Sequence, residues 1–375
     1  MKGGHKLMNI KFKKVLIDKE NKGEACSVAD FNNDGKFEII CGEYMYYGEN
    51  FSQKTKICDI TYDGGYLHDF SDYPLDVNGN GYPDIITGSW WSEGLFWREN
   101  PGKSGGEWKL HKIETLSNVE TIRYYDIDNC GTVEVFPNCP GEPQSFFKLI
   151  KDANGKPTGE FKQYKIGTQN AGHGMGFGDI TGNGKTDIIL AGGWLEQPDD
   201  VYSGNWKFHP DFSIAGASIP ILCYDLNGDG VNDIIVGAGH NYGLWWLEQK
   251  INADSTRNFI QHEIDMKCSQ YHDMQLFDID NDGNLELVTG ARHFAHNGND
   301  PGEHDPLGTY IFKISKGSNG EVNFEKNTLD YGKVEDGGSG VGIYFWLEDL
   351  TGNGYKDLVA PGKEGLYIFY NEGKA

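Results

Sequence analysis

The chain has 375 residues, and 33 lysines and arginines against 56 aspartates and glutamates leave it a formal charge of −23. So acidic a surface repels phosphate backbones and anionic lipid, which excludes a nucleic-acid partner, and no apolar run approaches the ~20 residues of a bilayer span, which excludes a membrane one. Hydrophobic residues make up only 38%, yet 13% are aromatic and 52 are glycine, a balance that suits many short strands joined by tight turns and rules out a disordered chain.

In chain order, residues 1–11 read as a leader or tag, with no stretch as long as a signal-peptide core. A lone strand pattern, FKKVLID, follows from Phe12 to Asp18. Then one Asp-rich nonapeptide recurs seven times. It reads DFNNDGKFE from Asp30, DVNGNGYPD from Asp76, DIDNCGTVE from Asp126 and DITGNGKTD from Asp179. The last three are DLNGDGVND from Asp225, DIDNDGNLE from Asp278 and DLTGNGYKD from Asp349. An alternating or apolar run precedes each copy, and a β-branched strand such as PDIITG or NDIIVGAG follows it. An aromatic run (GLFWREN, GLWWLEQ, GLYIFYN) and an amphipathic one (WKLHKIE, FIQHEID) complete a unit of roughly 50 residues, the size of a propeller blade.

Seven such units predict an all-β chain: a seven-bladed β-propeller of four-stranded antiparallel blades, one domain over 1–375. The last unit stops at its third strand, GLYIFYN. FKKVLID therefore supplies the missing fourth strand and closes the ring, which removes an open sheet edge.

Carboxylates at positions one, three, five and nine of a turn can converge on a hard cation, with the glycine allowing the reversal. The three copies richest in oxygen are the calcium candidates: Asp30, Asn32, Asp34 and Glu38; Asp225, Asn227, Asp229 and Asp233; Asp278, Asp280, Asp282 and Glu286. The competing reading, assigned to the other four copies, is that these side chains bond the turn's own backbone. Either role is structural, on the face opposite the usual binding surface of a propeller. Seven cysteines, an odd number without CxxC spacing and mostly in apolar runs, read as buried free thiols in a reducing, cytoplasmic setting.

The opposite, upper face gathers the heads of innermost strands and the loops after second strands. His173 and His272 begin innermost strands. His240 follows a second strand, as does ARHFAHNGNDPGEHDP, which carries Arg292, His293, His296 and His304. His68 is a further candidate there. Trp90, Trp91, Trp194, Tyr44 and Tyr242 fall in loops of the same kind, and an aromatic rim beside imidazoles suits a small saccharide. His111, His209 and His262 lie on outer strands and read as solvated surface. The gathered imidazoles could do two kinds of work. His173, His240 and His272 could hold a divalent metal, or one histidine could act as a general base while Arg292 stabilises a developing anion. No HExxH, GxSxG, P-loop or dinucleotide fingerprint is present.

The nonapeptide resembles the FG-GAP/VCBS repeat of integrin-type and bacterial propellers. The segments HGMGFGDITGNGKTDIIL, GHNYGLWWLEQ and ARHFAHNGNDPGEHDPLGTYIF are similar to the propeller domain of aldos-2-ulose dehydratases and, more distantly, to lyases that cut L-rhamnose from glucuronate. That resemblance implies β-elimination on a carbohydrate at the upper face, with a divalent ion: calcium or magnesium, or zinc at the histidines. It places His173, His240, His272, Arg292, His296 and His304 in the site. Two other readings stand beside it: a non-catalytic carbohydrate- or protein-binding propeller, and a glycoside hydrolase using the same pocket.

Overall fold

The computed structural model describes residues 10–91, 94–170, 172–317 and 320–374. Seven four-stranded antiparallel sheets stand around a central channel. Blade 1 comprises Cys26–Ala29, Glu38–Cys41, Tyr44–Tyr47 and Gln53–Lys56; blade 2 comprises Tyr73–Leu75, Asp84–Gly88, Leu95–Glu99 and Lys109–Glu114. Blade 3 runs from Thr121–Tyr125 to Pro157–Asn170, blade 4 from Met175–Gly178 to Lys207–His209, blade 5 from Leu222–Tyr224 to Arg257–Ser269, and blade 6 from Tyr271–Phe277 to Val322–Gly332. Blade 7 is built from Trp346–Glu348, Asp357–Ala360 and Leu366–Lys374, and its outer strand is Ile10–Asp18, pairing Val15 with Ile368 and Phe12 with Asn371. The expected ring closure is therefore present. Ile10 and Lys11 belong to that strand rather than to a leader, and residues 1–9 lie outside the described residues.

The repeat's ninth residue explains why its spacing never varies. In every blade this acid is fully buried, and one of its oxygens accepts the N–H of the residue seven positions earlier, at 2.8–3.1 Å. In four blades the other oxygen accepts the N–H of a third-strand amide residue: Asn100, Gln197, Gln249 or Asn371. That residue's side chain in turn donates to a carbonyl of the preceding blade, from Phe31, Ile127, Ile180 or Ile279. One carboxylate thus ties a turn to its own blade and, through the amide, to the neighbouring one. Satisfying backbone donors in a dry interior is what makes such a group hard to replace.

This arrangement shows how the turns' side chains are engaged without an ion. Glu38 and Asp233 spend both carboxylate oxygens on hydrogen bonds, whereas Glu286 accepts the N–H of Ile279 with one oxygen and leaves Oε1 buried without a hydrogen bond among the described residues, as Asp280 Oδ1 also is. Asp30 and Asp225 also turn both oxygens onto N–H groups of their own loops, those of Asp34 and Gly35 and of Gly228 and Gly230. Asn32 donates to Glu38, and Asn227 to Asp229. Asp34 and Asp229 each accept from the N–H two residues on. Among the three calcium candidates, Asp278, Asp280 and Asp282 bring three carboxylates within ligand distance of one another, as do Asp126, Asp128 and Cys130 among the remaining turns. In both of these an ammonium is already present. Lys313 Nζ lies 2.9 Å from Asp280 and 2.7 Å from Asp282, and Lys148 Nζ binds Asp128 and lies 2.8 Å from Glu134.

We expect calcium addition or chelation to leave the melting temperature of the wild-type chain unchanged. Lys313→Met should lower it and make it respond to calcium, by about 1–3 °C for the loss of one partly exposed cluster. A calcium-dependent shift in the wild type would mean that the ion displaces the lysine.

Candidate functional site on the upper face

The ends of the channel away from the Asp-rich turns bring together side chains from five blades. Glu120 stands just before the innermost strand of blade 3, His173 before that of blade 4, and His240 after the second strand of blade 5. His272 lies inside the innermost strand of blade 6, and Arg292 follows that blade's second strand. Glu24, ahead of the innermost strand of blade 1, reaches Arg292 from across blade 7. The His173 and His240 Nε2 atoms are 2.9 Å apart, and Glu120 Oε1 lies 3.3 Å from His173 Nε2 and 3.8 Å from His272 Nε2. Gly239 is what lets the rings close in, since a Cβ there would sit 3.1 Å from His173 Cε1 and 3.5 Å from His272 Cδ2.

The far sides of two rings are anchored. His173 Nδ1–H donates to the Ala217 carbonyl (2.6 Å), and His240 Nδ1–H donates to Asp300 (2.8 Å). Fixing Nδ1 leaves Nε2 as the inward atom, which is how a metal-binding imidazole is normally oriented. His272 is wholly buried, its Nδ1 has no hydrogen-bond partner among the described residues, and its Nε2 accepts from Arg292 Nη1 at 3.0 Å. Arg292 is itself held by Glu24, Nε to Oε1 at 2.7 Å.

These contacts set the charges. Burial alone would raise the Glu120 carboxyl, but the hydrogen bond from His173 and the charges of His173, Arg292 and His240 outweigh it and hold the group at about 2. Burial lowers His173, and Glu120 more than reverses that, so its ring is shifted up. Burial, with His173, His296 and Arg292 nearby, pushes His240 down to about 4; burial and Arg292 push His272 well below the usual histidine range. Without an ion, the proton between the two facing Nε2 atoms belongs to His173.

The long loop after Arg292 lies over this cluster and is tied down on several sides. Tyr66 donates to the Ala295 carbonyl (2.8 Å), Asn297 to the Gly64 carbonyl (2.8 Å), Lys363 to the Phe294 carbonyl (2.6 Å) and Tyr242 to Asp305 (2.6 Å). His296 stacks on His240, with ring centres 4.1 Å apart and planes within 6°, and its Nδ1 lies 2.8 Å from Asp300. Beside the loop, Trp91 is 40% exposed and packs against Tyr66, Phe70 and His68, the last in a stacked pair at 4.8 Å. Arg292 lies over Phe70, so this aromatic wall and the histidine cluster are continuous.

Several expected site residues are elsewhere. Trp194 is completely buried: it stacks on His209 at 4.0 Å and donates to Asp211, so it has no face for a ligand. The same cross-strand pair recurs as Trp97 with His111 and Trp246 with His262, and each of these histidines also bonds a third-strand glutamate. These outer histidines are thus structural partners rather than loose surface. Tyr44 packs between blades 1 and 7 beneath Lys54. Tyr242 anchors the loop, His304 is bonded within it to the Gly298 carbonyl, and Trp90 packs on the small cluster of Tyr66, Phe70 and Ile343. His293 faces Glu364 at 3.6 Å, away from the cluster. Glu120, Glu24, Asp300 and Lys363 were not anticipated.

The FG-GAP-like repeat family matches residues 225–289, from the Asp-rich turn of blade 5 to the second strand of blade 6. No curated protein matches the chain. Among solved structures, BBS1N in complex with ARL6DN, from a mercury-soaked crystal, aligns with a TM-score of 0.54 at 9% identity, over 97% of this chain and 96% of that one. The lead-soaked form of the same complex gives 0.50 at 11% identity, over 97% of both chains. At such identity the likeness is one of fold. The chain is a seven-bladed β-propeller with an FG-GAP-like repeat, and no helix among its described residues is long and apolar enough to cross a membrane.

Proposed function

We propose that the upper face is the active site of a carbohydrate lyase or dehydratase, in which Glu120, His173, His240 and His272 hold a divalent metal ion. The observation that carries this is the convergence of one ligand atom from each of three imidazoles and one carboxylate, all within 4.8 Å of one another, with two of the Nδ1 atoms anchored behind them; an ion on His272 Nε2 takes the place of its hydrogen bond from Arg292. Two Nε2 atoms facing each other at 2.9 Å are a donor set that a cation satisfies better than a single shared proton. Imidazoles with one carboxylate suit zinc or another transition ion more than calcium. Once bound, such an ion supplies a Lewis acid for the carbonyl or carboxylate oxygen next to the carbon that loses its proton.

The chain's own residues supply the rest. Trp91 and His68 offer a ring face for the sugar. His296 is the base in this reading. Its Nδ1–H donates to Asp300, which fixes the tautomer, its ring is held by stacking on His240, and its Nε2 has no partner among the described residues. Arg292 is 2% exposed and committed to Glu24 and His272, so it positions His272 rather than touching substrate. All seven cysteines are free, which supports the expected reducing, cytoplasmic setting and hence a small saccharide.

The test is ultraviolet absorbance with a panel of keto-sugars and uronate-containing disaccharides. A new conjugated double bond should absorb as it forms, and the signal should vanish with a chelator. His296→Ala should lower kcat by about 10²–10⁴-fold with the melting temperature unchanged, because the side chain is exposed. Saccharide binding with no product would favour the non-catalytic propeller, which the aromatic wall alone would support. A saturated reducing sugar as product would point to hydrolysis.

A further inference from the structure

We propose that the lower end of the channel is a second binding site, for a planar aromatic monocarboxylate. The channel does not run through. Arg123, from the innermost strand of blade 3, spans it and donates from Nη2 to the Ile219 carbonyl (2.5 Å), to Asp273 of blade 6 (3.0 Å) and, at longer range, to the Ile343 carbonyl (3.4 Å). Asp273 also accepts the N–H groups of Met274 and Phe345. This plug divides the upper cluster from a cavity of about 670 Å³ beneath it, walled by the lower halves of the innermost strands of blades 3 to 7. Such a volume lies in the range of small-molecule pockets.

The lining selects the ligand. Phe177, Tyr224, Tyr344 and Trp346 bring aromatic surface from blades 4, 5 and 7, and Leu222 adds to the apolar wall. Rings prefer offset or edge contact with another ring, so a planar apolar body fits these walls. At the closed end sits Arg123, only 8% exposed. Among the described residues its single engaged nitrogen is Nη2; its Nε is buried without an acceptor, and Nη1 is the donor left to face the cavity. A guanidinium stays protonated in a protein, so these donors persist as an unmet demand for an acceptor at the base of an aromatic pocket. A carboxylate oxygen meets it by accepting from Nη1 in a charge-assisted hydrogen bond. The Tyr224 and Tyr344 hydroxyls, which also lack protein hydrogen-bond partners among the described residues, can serve a second polar group on the ring. The chain's charge of −23 disfavours a dianion at this mouth, which is why one carboxylate on an apolar ring is the class that fits.

Calorimetric titration with 4-hydroxybenzoate tests this, with 4-hydroxybenzyl alcohol as the same ring lacking the carboxylate. The acid should bind with a dissociation constant below about 1 mM, and the alcohol at least about tenfold more weakly. Leu222→Trp, which fills the cavity from its wall, and Arg123→Gln, which removes the charge, should each weaken the acid by at least about tenfold, while His296→Ala on the upper face should not. Each variant's melting temperature certifies its fold, and Leu222→Trp alone decides the matter if Arg123→Gln unfolds. No binding, equal binding of acid and alcohol, or binding untouched by Leu222→Trp would overturn the proposal. Loss of binding in His296→Ala would move the ligand to the upper face.

Discussion

Asp233→Ala is expected to destabilise the chain by about 4 kcal/mol, because it strands two buried backbone donors at about 1–3 kcal/mol each and a cavity adds the remainder. The donors are the N–H groups of Leu226 (3.1 Å) and Gln249 (2.9 Å), and Asp233 is fully buried. The loss spreads further, since the Gln249 side chain also bridges to the Ile180 carbonyl of blade 4. For a domain of this size about 4 kcal/mol corresponds to roughly 5 °C in melting temperature. Asp233→Asn keeps one acceptor and turns an amide N–H₂ towards the other donor, so it should fall between alanine and wild type. A metal-ligand role gives a different pattern: chelation would reproduce the loss in the wild type, and both variants would become insensitive to chelator. Urea unfolding with and without chelator separates the two, and a change below about 1 kcal/mol for Asp233→Ala would refute the anchoring role.

The repeat made the fold legible for the same reason. An acid that must reach a backbone N–H seven residues back tolerates no insertion, so the nonapeptide keeps its spacing in all seven blades while its other positions drift. Ring closure was equally plain, because FKKVLID and GLYIFYN are complementary leftovers at the two ends. The lysines that occupy two of the turns were harder to see. Lys148 and Lys313 come from third strands, 20 and 33 residues from the acids they bind, and no short window contains both partners. Trp194 misled because GGW looks like GSWW. Gly193 has φ +137°, and a Cβ there would lie 2.2 Å from the His209 carbonyl oxygen, so the chain turns straight into the third strand and Trp194 is pinned to His209 instead of the rim. Histidines are few enough that their loop positions could be read off the blade pattern. Glu120 could not be singled out in that way: acids are abundant here, and nothing in SNVETIRYY separates a ligand from solvated surface.

His240→Ala is expected to weaken binding of a divalent transition ion by at least about 100-fold, and Asp300→Ala by about 10–100-fold, the range found for partners that orient a metal-bound imidazole. The asymmetry follows from position. His240 offers Nε2 to the cluster itself, whereas Asp300 acts only by holding His240 Nδ1 at 2.8 Å. His272→Ala should be as severe as His240→Ala but should also disturb folding, because it empties a fully buried site and leaves Arg292 Nη1 without its acceptor. Glu120→Gln is the sharpest variant. It keeps the volume and one acceptor oxygen but removes the charge that lifts His173, so metal affinity should fall, and the metal-free chain should lose the stability that the depressed Glu120 carboxyl contributes at neutral pH. His111→Ala, on an outer strand of blade 2, is the control and should leave affinity unchanged. Competition of zinc against a chromophoric chelator, followed with each purified variant, reads all five. If wild type and His240→Ala hold zinc equally, the four converging side chains are a buried polar network and the metal centre is wrong. If zinc binding is weakened in every variant except His111→Ala, then Glu120, His240 and His272, from three different blades, act as one site, which only the closed ring can assemble.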